Sequence, residues 1–446
     1  MEVIFMKRKR QKKESINRRE FLKRTGLASL ATVAFPYIIP GRALGLDGAV
    51  PPSERITIGC IGVGGMGTSN MEGFLDQPSA QVVAVCDVDG KHRESAMKKV
   101  NDRYGNQDCA GYNDFRELIA REDIDAVSLA LPDQWHAIPA IMAAKAGKDI
   151  YGEKPLAGSI KEGRAIVDAV EQYGRIWQTG SWQRSQEHFR QACELVRNGY
   201  IGEVKYVVVG LPSKNSINKG STTPSDPPPW FDYDMWLGPA PYAPYCEARC
   251  HWNFRWISDY AGGQLTDWAG HHCDIAQWGM GTELTGPVEI IPRGGHWPKA
   301  EDGLFDTVED YEFLCKFKEG FDMLVTARQK GGVLFKGSEG WIHVDRGAFD
   351  AFPRSLVQTE IKPHELHLYR SSNHIGNFLE CVRTRKKTIT PAEVAHHSIM
   401  IGHLGLIALK LGRPLKFDPD SETFINDSEA NRMLCRPMRE PWHLNI

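Results

Sequence analysis

The sequence predicts an α/β chain whose first half is a parallel sheet built through right-handed strand–helix–strand crossovers. Three observations carry this. From Arg55 onward, short β-branched apolar runs alternate with helical patterns through brief loops, the signature of parallel strands joined by helices. Asp125–Leu131 is almost continuously apolar, as a strand covered on both faces must be. The run Gly62-Val63-Gly64-Gly65-Met66-Gly67 follows the first strand and opens the first helix, the context in which a glycine-rich loop binds a dinucleotide.

In chain order, strands are expected at Arg55–Ile61, Gln81–Cys86, Asp125–Leu131 and Asp149–Tyr151, and Gly174–Thr179 is expected to complete the first domain. Helices are expected at Gly65–Leu75, Lys91–Tyr104, Asn113–Arg121 and Trp135–Ala146. Within the glycine loop, Gly62 permits the tight turn, Gly64 lets the backbone approach a pyrophosphate, and Gly67 lets helix and strand pack closely. Gly65 and Met66 sit at the helix N-terminus, which faces the phosphates. Asp87 ends the second strand, where a carboxylate accepts from ribose hydroxyls and repels a 2′-phosphate, so NAD is favoured over NADP. Asp89 and Lys91 weaken that preference. The loop Pro132-Asp133-Gln134-Trp135-His136 and the segment Glu153-Lys154-Pro155 lie at the same carboxyl edge of the sheet. Pro132, His136, Glu153 and Lys154 are therefore candidate cofactor contacts.

The second half opens with a helix at Gln186–Asn198 and a valine-rich strand at Glu203–Leu211. A Pro/Ser/Thr-rich loop over residues 212–230 follows. A helix runs from Gly262-Gly263 to about Met280; on it Asp267, His271 and Asp274 share a face, and His272 lies nearer the apolar stripe. Strands near Glu309–Phe317 and Asp322–Arg328 and helices at Asn377–Arg383 and Glu393–Leu411 complete the pattern. His396, His397 and His403 on the last helix are read as polar residues facing solvent or the first domain, and no metal site is expected. Cys246 and Cys250 lack a second ligand pair and are read as structural.

The chain has 446 residues, 41% hydrophobic and 25% charged, enough for two domains. Residues 1–45 carry a net charge of +8, which leaves −10 on the rest. A body that acidic is a poor partner for nucleic acid or an anionic membrane surface. Lys7–Lys13, then Arg18-Arg19-Glu20-Phe21-Leu22-Lys23, then an apolar run from Gly26 to Ile39 form the layout of an export signal of twin-arginine type. That run is shorter than the roughly 20 residues of a membrane span, so no stable anchor is expected. The expected organisation is a signal over 1–45, a nucleotide-binding domain over 46–180 and a second domain over 181–446.

With these residues in view, the chain resembles the Gfo/Idh/MocA family of oxidoreductases. The carriers are the Gly62–Gly67 loop, Glu153-Lys154-Pro155 and the stretch from Gly262 to Asp274. Trp236–Pro241, Asn253–Trp256, Lys336–Trp341 and Arg436–Arg439 are similar to an exported branch of it. The resemblance implies a Rossmann domain followed by an α+β domain with a large, mostly antiparallel open sheet, whose open face commonly makes dimers or tetramers. It also implies that Lys154, Asp267 and His271 match the family's catalytic residues. One departure is local: many members carry Asp-x-Gly before the His, where this chain has Trp268-Ala269-Gly270.

The chemistry expected is oxidation of a secondary hydroxyl on a sugar, polyol or glycoside. His271 takes the proton, with Asp267 orienting it, and Lys154 stabilises developing alkoxide charge. The cofactor carries the redox chemistry. Trp182, Arg184, Asn253, Arg255, Trp256 and His272 are candidate sugar contacts. Export in the folded state, where nicotinamide is scarce, implies a tightly held cofactor. It also brings in two competing functions: glycoside cleavage by transient oxidation and re-reduction, and a non-catalytic sugar-binding protein.

Overall fold

The computed structural model describes residues 51, 54–298 and 303–444. The export signal expected over residues 1–45 lies outside the described residues. Arg55–Ile446 forms one unit, and it holds two sheets.

The first sheet comprises β1 (Ile56–Ile61), β2 (Ala80–Cys86), β3 (Ala110–Tyr112), β4 (Ala126–Leu129), β5 (Asp149–Gly152) and β6 (Trp177–Thr179). All are parallel, in the order β3-β2-β1-β4-β5-β6. Chain order reverses between β1 and β4, so a crevice opens at their carboxyl ends, where ligands of such sheets bind. The interleaved helices are α1 (Gly65–Leu75), α2 (Gly90–Tyr104), α3 (Phe115–Ile119), α4 (Ala137–Lys145) and α5 (Ile160–Gln172). Alternation along β1 separates two cores: Ile56, Ile58 and Cys60 join Met71, Phe74 and Val100, whereas Ile61 joins Phe115, Ile138 and Ile166. Both faces are thereby covered, as a parallel sheet requires.

Two elements here differ from the sequence expectation. Ala110–Tyr112 forms an edge strand too short to leave a periodic trace. Helix α5 was not anticipated, although its start has a capping-box signature: Ser159 accepts from the Glu162 backbone N–H and donates to the Glu162 carboxylate at 2.9 Å.

The second sheet comprises β7 (Val204–Gly210), β8 (Glu289–His296), β9 (Glu309–Lys316), β10 (Asp322–Thr326), β11 (Gly332–Gly337), β12 (Trp341–Asp345), β13 (Ala348–Phe352), β14 (Leu415–Asp418) and β15 (Thr423–Phe424). Its order is β13-β12-β11-β7-β10-β9-β8-β14-β15, antiparallel except between β7 and β10. The fold is thus the expected parallel-sheet domain followed by a domain on a mostly antiparallel sheet. Along β7, Val207 and Val209 face the main core. Tyr206 and Val208 face the other way, with Leu314, Leu324 and Leu334.

The helices of this half are α6 (Glu187–Arg197), α7 (Tyr233–Leu237), α8 (Gly263–Met280), α9 (His374–Thr384), α10 (Ala392–Leu411) and α11 (Ser428–Arg432). Helix α10 is apolar and long enough to cross a membrane, yet it is mostly buried inside the molecule. Its three histidines are correspondingly buried rather than solvent-facing. His396 meets Glu422 at 2.8 Å, His397 meets Glu393 at 2.8 Å, and His403 donates to the Ala157 carbonyl at 3.0 Å. Cys246 and Cys250 are buried and unpaired.

Candidate active site

A cavity of about 1090 Å³ runs from the glycine loop to helix α8, slightly larger than the usual ligand site. At one end Gly62, Gly64, Gly65, Met66 and Gly67 line it, with Asp87 and Pro132. Gly62 has φ +78°, and a Cβ built there would overlap the Ala130 carbonyl; one built on Gly67 would overlap the Gly62 carbonyl. A Cβ on Gly65 would meet nothing, so the backbone there borders open space. Helix α1 has no side-chain cap at Gly64, which leaves its first N–H groups to a ligand. Those two features fit a pyrophosphate. Asp87 is held in place as its oxygens accept from Val63 N at 2.8 Å and Asp89 N at 2.9 Å.

At the other end, β5 delivers Glu153 and Lys154, and α8 delivers Asp267 and His271. The Lys154 ammonium donates to Asp267 Oδ1 at 2.8 Å and to the Asp267 carbonyl at 3.1 Å. Arg255 Nε lies 3.4 Å from the same carboxylate oxygen. Burial pushes the Asp267 carboxyl up, but Lys154 and then Arg255 more than offset this, so it stays below the usual carboxylate range. Asp267 therefore serves the two cations and not His271, contrary to the expected Asp–His pairing. The reason is geometric: the β5 loop brings an ammonium against the carboxylate that helical spacing alone would offer to His271.

His271 is buried, and its Nδ1 has no hydrogen-bond partner among the described residues. Burial, then Lys154, Arg346 and His272, hold its pKa well below the ordinary histidine value. It is a neutral ring at neutral pH, able to accept a proton. Glu153 is also buried; its Oε1 accepts from Asn70 at 2.9 Å, and burial raises its pKa. It anchors the loop.

The remaining candidates separate sharply. Trp182 and Arg255 line the cavity, and Arg255 stacks on Trp252 at 4.6 Å. Arg184 does not reach it. Its guanidinium is buried between Asp274, at 2.7 and 2.8 Å, and Glu283, at 2.7 Å, where it joins α8 to the preceding segment. Trp256, although almost fully buried, also lines the cavity and donates to the Ser216 carbonyl at 3.1 Å. Asn253 is buried and bonded to Asn218 and Ala248, and it props the wall. His272 is buried between Gln183, at 3.5 Å, and Asp345, at 3.6 Å, away from the cavity. His136 also stands behind it, its ring nitrogens 2.6 Å from the Pro155 carbonyl and 2.7 Å from the Leu131 carbonyl. It ties together the two loops that carry Pro132 and Lys154.

Some lining residues carried no local sequence signal, among them Trp252 and Arg346. A strap over residues 228–251 closes the Asp87 end. Gly90 N donates to the Trp230 carbonyl at 2.8 Å, Asp232 N to the Val88 carbonyl at 3.0 Å, and Lys91 Nζ stands 3.6 Å from the Trp230 ring centre. Trp135 Nε1 donates to the Met235 carbonyl at 3.0 Å. The C-terminal segment fastens the strap, with Arg439 bonded to Gly238 O at 3.0 Å and Asp234 at 2.6 Å, and Trp442 4.7 Å from Trp135. At this end Asp89, His92 and His251 place three potential metal-ligand atoms within 4.8 Å of one another, a cluster the sequence pattern did not reveal because His251 arrives on the strap.

Known proteins share this architecture. Residues 56–181 match the model described as "Oxidoreductase family, NAD-binding Rossmann fold", and residues 195–444 match "Oxidoreductase family, C-terminal alpha/beta domain". A "Glycosyl hydrolase family 109 protein 2" of Shewanella sp. (strain ANA-3) is 30% identical over 205 residues, covering 42% of this chain and 44% of the relative. The "Alpha-N-acetylgalactosaminidase" of Shewanella oneidensis is 28% identical over 211 residues, covering 43% and 44%. The chain thus spans under half the length of these curated relatives. Among solved structures, the aldose-aldose oxidoreductase of Caulobacter crescentus, complexed with glycerol, superposes with TM-score 0.60 at 20% identity, over 81% of this chain and 100% of that one. A levoglucosan dehydrogenase, in complex with NADH and levoglucosan, gives TM-score 0.59 at 18% identity, over 81% and 99%. These likenesses concern the fold. The two family matches together cover most of the sequence, and the chain belongs to the Gfo/Idh/MocA family of oxidoreductases.

Proposed function

We propose that the protein is an exported, NAD-dependent oxidoreductase acting on a secondary hydroxyl of a sugar, polyol or glycoside. The observation that carries this is the Lys154–Asp267 pair at 2.8 Å beside the neutral His271, in the same cavity as the glycine loop. When bound, the nicotinamide supplies the hydride acceptor and donor.

The chain's own residues do the rest. Lys154 has three N–H donors and spends two on Asp267; the third is available to a substrate oxygen, where it stabilises developing alkoxide charge. Asp267 fixes that ammonium, and Arg255 helps keep Asp267 ionised. His271 receives the hydroxyl proton. The Asp87 carboxylate favours NAD over NADP, and Lys91 is engaged with Trp230 rather than left to compensate a 2′-phosphate. The strap supports a cofactor that stays bound between turnovers. The layout of residues 1–45 supports twin-arginine export to the periplasm.

A second function, glycoside cleavage through transient oxidation, is favoured by the glycosyl hydrolase relatives. Purified protein mixed with sugars and their aryl glycosides separates the two. Accumulating reduced nicotinamide supports net oxidation, and aglycone release without net reduction supports cleavage. Sugar binding with neither signal would sink both and leave a binding protein.

A further inference from the structure

The cations at the α8 end of the cavity outnumber the carboxylates that answer them. Lys154 and Arg255 share Asp267. Arg346, in the turn between β12 and β13, lines the same cavity, and its guanidinium stacks 4.6 Å from the Trp268 ring centre. Trp268 adjoins Asp267 in sequence, and its ring centroid lies 5.7 Å from that of His271. The nearest carboxylate in sequence, Asp345, is engaged elsewhere: Oδ1 accepts from the Arg346 backbone N–H at 2.7 Å and lies 3.6 Å from His272. Among the described residues, no carboxylate lies within ion-pair distance of the Arg346 guanidinium. Glu153 and Asp133, the other acids near this end, are buried, and burial favours their neutral forms.

A guanidinium set over an indole, with no carboxylate against it, leaves its N–H fork to a planar or tetrahedral oxyanion. We infer that the sugar bound here carries an anionic oxygen group, a carboxylate or a sulfate ester, and that Arg346 receives it while Lys154 and His271 engage the reacting hydroxyl. The inference rests on the oxidoreductase function for the position of that hydroxyl. It also links recognition to chemistry. Arg346 is one of the cations that oppose protonation of His271, and an anion bound to it relieves that opposition, making His271 a better base for the charged substrate.

The test uses the purified holoprotein and calorimetric titration with glucose, galactose and mannose, the matching uronates, and the matching sulfate esters. At least one anionic sugar is expected to bind ~10-fold or more tightly than its neutral parent, with affinity falling as salt rises. Arg346 is exposed, so Arg346→Gln should keep the fold, and this variant should bring anionic and neutral sugars to parity. Uronate preference over sulfate, or the reverse, distinguishes the two anions. Equal binding of neutral and anionic sugars, binding of neither, or a preference that survives Arg346→Gln would each overturn the inference. Its failure is separable from failure of the oxidoreductase function. Anion-selective binding with neither nicotinamide reduction nor aglycone release keeps the inference and removes the enzyme. Turnover of neutral and anionic sugars at equal affinity does the opposite.

Discussion

The two ends of the cavity are built by different means. At the Asp87 end, one contiguous run, Gly62–Gly67, supplies backbone N–H groups, close helix–strand contact and open space. At the α8 end, side chains converge from β5, the 252–256 segment, α8 and the β12–β13 turn. The first end should be intolerant of a side chain at Gly62 or Gly67, where backbone stands in the way. The second should tolerate volume and depend on which ion faces which.

The largest effect expected from that contrast is Gly67→Ala. Its methyl group would collide with the Gly62 carbonyl, and backbone cannot yield as a side chain can, so cofactor binding should be lost. Equilibrium dialysis against NAD checks this, and retained micromolar binding would break the comparison. Next, Arg184→Ala and Arg255→Ala should diverge although both arginines looked alike in sequence. Removing Arg184 leaves Asp274 buried without its cation and should cost about 3–5 kcal/mol of stability; removing Arg255 should leave the melting curve nearly unchanged and slow turnover. Equal losses of stability in the two variants would refute the distinction.

Lys154→Ala should retain cofactor, because Arg255 remains to balance Asp267, yet lower turnover by ~10²–10³-fold. Normal turnover would place the chemistry elsewhere. The smallest effect is on the pH profile. His271 must be neutral to accept a proton, and its folded pKa is lowered by burial and by Lys154, Arg346 and His272. Rates should therefore hold as pH falls through the ordinary histidine range and decline only well below it. A limb at the unperturbed value, about 6.5, would indicate a different, solvent-exposed base.

Much of the cofactor end was legible because its determinants are local. A strand, a glycine turn and a helix start occupy consecutive residues, and Asp87 follows at the spacing that the next strand dictates. Helix α8 was legible for the same reason, since a period of 3.6 places Asp267 and His271 on one face. Its pairing was not. Helical spacing suggested an Asp267–His271 contact, whereas the ammonium of Lys154, 113 residues away in sequence, takes the carboxylate. The histidines of α10 were only half legible: polar letters suggested solvent or the first domain, and the structure buries them, His403 on the Ala157 carbonyl of the first domain and His396 and His397 on Glu422 and Glu393.

What the sequence determined by itself was most of the first domain's sheet, its nucleotide loop, and the presence of a lysine, an aspartate and a histidine suited to moving a proton. Tertiary structure alone decided which cation meets Asp267, that Arg184 is an internal tie and Arg346 an open fork, and that a strap with the C-terminal segment covers the Asp87 end. The physical reason is range. Backbone conformation and periodicity are set by neighbours a few residues apart, whereas the partner of a charge is set by which distant segments packing brings within about 4 Å.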